Sequence, residues 1–177
     1  MQLERSTIDA MAASPCPGPA APFATWPKHW RQSTGFAWYT QPAVLVTQAA
    51  HAHATVEAAV NAINVINFVL AKREADISAA GGLLILHDWR LVTSWDADAR
   101  RHLMNRARTH DKRLVRGVLV AMTVNPILGA CLQTACMLYS LGRKHMEIVR
   151  DVPAALLKYQ IVAPRLLSPD LRELPSL

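Results

Sequence analysis

The sequence predicts a single α/β domain with a central, mixed but mostly parallel sheet of four to five strands and about four helices. Two observations carry that expectation. From Phe36 to Tyr159 the apolar segments run strand, strand, long helix, then strand, helix, strand, helix, strand, helix, and a helix between successive strands imposes parallel pairing. The run Leu83 to Leu86 is apolar without alternation, the pattern of a strand covered on both faces. With 177 residues, 51% of them hydrophobic and 18% charged, the chain can fill one core but not two large domains.

Residues 1–34 read as a mobile Pro/Ala-rich lead-in with a tryptophan arm. Pro15, Pro17, Gly18, Pro19, Pro22 and Pro27 exclude both helix and central strand. Trp26 and Trp30 are costly to expose and are expected to dock back on the domain, with a peptide-ligand role as the other reading. The domain proper spans residues 35–160. Phe36 to Thr40 and Val44 to Gln48 suit a hairpin with Gln41-Pro42 at the turn. Thr55 to Ala75 repeats apolar residues at Val56, Ala59, Val60, Ile63, Ile66 and Leu70, a helical stripe. Asn61, Asn64 and Asn67 fall elsewhere on that helix, either as tolerated surface or as a polar contact face.

Gly81-Gly82 opens the next strand and His87-Asp88 closes it. A helix begins near Asp96, a candidate cap, with Ala99, Leu103 and Ala107 on its inner face. Val115 to Val124 is a strand, and Asn125-Pro126 opens an uncharged helix ending at Leu141, before Gly142. Met146 to Val149 makes the last strand, Pro153 starts a final helix through Tyr159, and residues 161–177 form a Pro-containing tail.

The uncharged helix is apolar around much of its circumference, so a second packing surface is expected on it. Its candidate covers are the tryptophan arm, the C-terminal tail, a lipid, or a second copy of the chain meeting Met137, Leu138 and Leu141. The longest uncharged run, Val124 to Leu141, includes Asn125, Pro126, Gln133 and Ser140. It falls at or below the roughly 18 apolar residues a bilayer span needs, so no transmembrane span is expected. Met1 to Ala10 carries Glu4, Arg5 and Asp9 without an apolar stretch, which argues against a secretory signal and for a cytoplasmic location.

The chemistry-bearing residues are few. Cys131 and Cys136 lie in the least polar segment and Cys16 in the lead-in, a pattern without disulfide or metal-ligand spacing. Gln48 to Ala54 stands where a glycine-rich phosphate loop would be, so no nucleotide cofactor is expected. His51 and His53, with His87 beside Asp88, make a poor metal motif, and neither a metal nor another cofactor is assigned. Ser94, after Thr93, is an alternative phosphoacceptor or a turn residue. The formal charge of +6 and pI near 9.7 concentrate in Arg100, Arg101, Arg106, Arg108, Lys112, Arg113 and Arg116, interspersed with His102 and His110. Nothing in that stretch is aromatic, so nucleic acid is a poor partner and an acidic protein a better one.

The segment from Leu84 through Leu86, His87, Asp88, Trp89, Arg90, Leu91, Val92, Thr93, Ser94 and Trp95 to Asp96 resembles the STAS domain family of anti-sigma-factor antagonists, particularly its divergent bacterial members. There an apolar strand ends at an Asp, a Val follows four residues later, and a second Asp eight residues on precedes a phosphorylated Ser at a helix start. Asp88, Val92 and Asp96 take those places, but Ala97 stands at the phosphoacceptor and Asp98 follows it. The resemblance implies a STAS-like fold and a non-enzymatic protein-interaction or regulatory module without the usual serine switch. Trp95, Asp96, Asp98, Arg100 and Arg101 are its expected partner-binding residues. A small-ligand or lipid-binding domain is the alternative.

Overall fold

The computed structural model describes residues 18–27, 30–40, 43–109, 114–122 and 145–164. Outside them lie the hairpin turn Gln41-Pro42, the three cysteines, most of the expected lead-in and tail, and the uncharged helix with Met137, Leu138 and Leu141. Among the described residues the fold is α/β, with a six-stranded sheet where four to five strands were expected. The additional strand is β1 (Trp30–Gln32), formed because the tryptophan arm pairs antiparallel with β2 (Gly35–Thr40). In turn β2 pairs antiparallel with β3 (Val44–Ala49) in the expected hairpin.

Strands β5 (Leu83–Trp89), β7 (Val115–Met122) and β8 (His145–Val149) follow, giving the order β1-β2-β3-β5-β7-β8 with every pair from β3 onward parallel. A separate parallel bracket joins β4 (His53–Ala54) to β6 (Ser94–Trp95). The helices are α1 (Val56–Lys72), α2 (Glu74–Ala79), α3 (Ala97–Thr109) and α4 (Val152–Lys158). None described is long and apolar enough to cross a membrane.

Local chemistry sets these boundaries. The Thr55 hydroxyl accepts from Ala58 N at 3.2 Å and caps α1, with Glu57 in the first turn and Lys72 in the last. Asp151 caps α4 in the same way, accepting from Ala154 N at 3.1 Å. Gly82, at φ +112°, turns the chain from α2 into β5 and donates back to Ile77 O at 2.8 Å. Its positive φ suits glycine.

Alternation along the strands gives the sheet two apolar faces. One carries Trp38, Val44, Val46, Leu84, Leu86 and Leu119, covered by Phe23, α4 and the flank of Trp26. The other carries Tyr39, Leu45, Leu83, Ile85 and Val115 beneath Val65, Ile66 and Val69 of α1 and Ile77 of α2. The arm thus reaches both sides. Trp26 meets Trp38 edge-on at 5.9 Å on the first face, while Trp30, in β1, meets Phe68 edge-on at 6.2 Å on the second.

Candidate functional site

At the carboxyl ends of β3 and β5 the alternation continues but the residues turn polar. On the first face Gln48 and Asp88 are 4% and 2% exposed. A buried carboxylate needs partners. Asp88 Oδ2 accepts from Gln48 Nε2 at 2.7 Å and Arg90 Nη2 at 2.9 Å, and Oδ1 accepts from Arg90 Nε at 2.8 Å. That hydrogen bond to Asp88 raises the Arg90 pKa above its ordinary value. The same groups hold the arm: Arg90 Nη2 donates to Ala21 O at 2.5 Å and Gln48 Oε1 accepts from Ala20 N at 2.8 Å.

On the second face Thr47 Oγ1 and His87 Nδ1 are 2.7 Å apart and buried. The His87 ring stacks on Trp89 at 5.0 Å, and Trp89 meets Trp95 edge-on at 4.7 Å. Trp95 is therefore half-buried packing beneath the surface, with its Nε1 buried and lacking an acceptor among the described residues. A cavity of about 50 Å³ lies beside it, walled by Thr47, Trp89 and the small residues Ala58, Ala59 and Ala62. That is room for roughly three to five waters, far short of an acyl chain.

The bracket above this layer assembles residues distant in sequence. Thr93 N and Ser94 N donate to Ala52 O at 2.8 and 3.2 Å, and Asp96 N donates to Ala54 O at 3.0 Å. Register then sets His53 opposite Ser94. His53 Nδ1 lies 2.8 Å from Ser94 Oγ and its Nε2 lies 2.8 Å from Asp96 Oδ1. The three side chains make one hydrogen-bonded chain at the surface, with the His53 and Asp96 side chains 52% and 43% exposed. Asp96 stands at the start of α3 as expected, its carbonyl accepting from Arg100 N at 3.1 Å.

Beyond Ala97, Asp98 and Arg101 form an ion pair at 2.7 Å with side chains 68% and 70% exposed. Arg100 is exposed as well, while Ala99 is fully buried. Val92, within the loop between Asp88 and Asp96, is 3% exposed and lines the cavity beside Trp95.

Other expected residues disperse. His51 Nε2 donates to Ser33 O at 2.9 Å, His53 belongs to the bracket and His87 is buried, so the suggested histidine set does not assemble. No group of three or more metal-ligating residue types that could hold an ion occurs among the described residues. Asn61 is half-buried and donates to Thr34 Oγ1 at 3.1 Å, tying α1 to the β1–β2 turn, whereas Asn67 is exposed. Arg116 is exposed, with Nη1 reaching Ala80 O at 3.4 Å; the other expected basic residues after Arg101 have no described side chains, apart from half-exposed His102.

One cluster escaped sequence reasoning. On β8 and the end of α4, Glu147 accepts from Lys158 Nζ at 2.9 Å and from the Tyr159 hydroxyl, with His145 Nε2 at 3.1 Å. The Tyr159 hydrogen bond, then that of Lys158, draws the Glu147 carboxyl down to about 2. The i,i+2 pair His145 and Glu147 shares a strand face, but the helix residues that complete the cluster could not be placed against it from spacing.

No protein-family model, curated protein or solved structure matches the chain.

Proposed function

We propose that the chain is a protein-interaction module of the anti-sigma-factor-antagonist kind, built on a STAS-like domain. Its contact surface is the corner from β5 through the bracket to α3, and the partner is an acidic protein. The supporting observation is where the three residues of the resemblance stand. Asp88 is buried at the end of β5, Val92 is buried within the loop, and Asp96 immediately precedes α3. A strand-end Asp and an Asp before a helix start agree with what the resemblance implies; the burial of Val92 is a further feature of this chain.

Ala97 carries no hydroxyl, so the surface is presented constitutively, with the Asp98 carboxylate in the first turn of α3, a position that the helix dipole favours. Arg100 and Arg101 give a cationic side to the same turn, while Trp95 supports it from below. Exposed charges of this sort set partner choice and association rate more than affinity.

Affinity capture from the native cell with the wild-type chain, Arg100→Glu and Arg101→Glu tests the reading. The captured partner is then purified and titrated against each protein. Loss of binding in both variants, and its retention in the distant control Lys72→Glu, is the expected result. Equal binding by all four proteins would remove this corner from the interface.

A further inference from the structure

We infer that Ser94 is a nucleophile, activated by His53 and positioned through Asp96, that takes an acyl group from small activated carboxylic esters. This does not depend on the interaction reading, and its test needs no protein partner.

The inference rests on one continuous hydrogen-bonded chain. His53 Nε2 is 2.8 Å from Asp96 Oδ1, a carboxylate that can only accept, so the ring proton sits on Nε2. The lone pair is then on Nδ1, 2.8 Å from Ser94 Oγ, and the serine hydroxyl donates to it. A serine is a weak nucleophile until such a base takes its proton, and a third group that fixes the tautomer completes the arrangement. The neighbouring hydroxyls lack this chain: Thr93 Oγ1 donates to Ala52 O at 3.2 Å and Ser33 Oγ donates to Glu57 Oε1 at 2.6 Å.

Access and rigidity fit as well. Ser94 is exposed, so an electrophile reaches Oγ without a channel. Its backbone is nevertheless held by the β4–β6 pairing and by Ser94 N to Ala52 O. The mini-sheet therefore presets the distance from Oγ to Nδ1, which is the geometric condition for general-base catalysis.

The step balances as acyl transfer. Ser94 Oγ bonds to the ester carbonyl carbon while its proton moves to His53 Nδ1, and the carbon–oxygen bond to the leaving alkoxide breaks. The alkoxide takes that proton, or departs as a stable phenolate while solvent receives it. Water then attacks the acyl-serine, giving its proton to Nδ1, and the acid leaves as Ser94 Oγ is reprotonated. The half-exposure of His53 and Asp96 keeps the site in high dielectric, so the rate gain lies toward the low end of the roughly 10²–10⁴ range for a positioned base.

The test uses p-nitrophenyl acetate with the whole chain, following nitrophenolate release and locating the acetyl group by peptide mass spectrometry. Acetylation of Ser94 is expected, absent in Ser94→Ala and slowed at least roughly tenfold in His53→Ala. Free imidazole should restore part of the rate in His53→Ala but none in Ser94→Ala, a rescue that a purely structural histidine would not show. Asp96→Asn, isosteric and equally suited to the start of α3, should lower the saturating rate without moving the half-saturating ester concentration or the unfolding temperature. Acetyl found only on lysines or the amino terminus, or an unchanged Ser94 rate in His53→Ala, would overturn the assignment.

Discussion

At Gly35 the β2–β3 pairing brings the Gln48 carbonyl oxygen too close to where a Cβ would stand for any side chain to fit without a shift. Gly35→Ala is expected to cost about 1–3 kcal/mol through the backbone shift it forces, read as a lower urea midpoint. Asp88 acts through what it would leave behind. Asp88→Ala strips Arg90 and Gln48 of their shared acceptor and loosens the arm, an expected loss of about 3 kcal/mol. Glu147 carries a pH signature. Its native carboxyl titrates near 2, below the ordinary 4.5, so the unfolded chain binds its proton first as the solution is acidified. The stabilisation is complete above 4.5 and lost as pH falls toward 2. Because the cluster is partly solvated, Glu147→Gln should cost about 1 kcal/mol at neutral pH, with the difference from wild type closing through that window in chemical denaturation.

At the scale of elements, apolar stripes were the legible features. Thr55 before an apolar stripe marks the start of α1, and Thr55→Ala should remove about 1 kcal/mol. Pro153 marks α4 in the sequence, whereas its cap, Asp151, emerged only in the structure. The arm behaves differently. Its prolines announce irregular backbone, but its anchoring comes from Phe23, which is fully buried and lies 5.3 Å from the Trp38 ring. Phe23→Ala is expected to free the segment locally and to cost about 3–5 kcal/mol if the first face does not re-pack. Limited proteolysis near Trp26 would report release. The bracket was illegible because two-residue strands carry no periodicity, and the pairing of His53 with Ser94 spans 41 positions.

For the whole molecule, the sheet order means that each parallel step, β3 to β5 to β7 to β8, moves outward in one direction. Right-handed crossovers at the two described connections put α1 and α3 on one face, in keeping with the contact between them. Among the described residues, the opposite face is covered by the arm and α4. Hydrogen exchange should be slowest in β2, β3, β5 and β7, which are paired on both sides, and faster in β1 and β8, the edges among the described residues. Fast exchange in β5 would contradict a core centred there.

The order of β2, β3, α1, β5, α3, β7, β8 and α4, the parallel centre and the buried run of β5 were determined by sequence alone, because hydrophobic period acts over a few neighbouring residues; the uncharged helix expected between β7 and β8 lies outside the described residues. Even the turn to polar character at His87-Asp88 was visible, although it was read as the end of a strand that in fact continues to Trp89. Tertiary structure decided the rest. It chose the sixth strand, which exists only because Trp30 finds a partner in β2, and it chose the partners of Asp88, His53 and Glu147. Those contacts are set by register and crossover geometry between distant segments, and spacing along the chain contains no term for either.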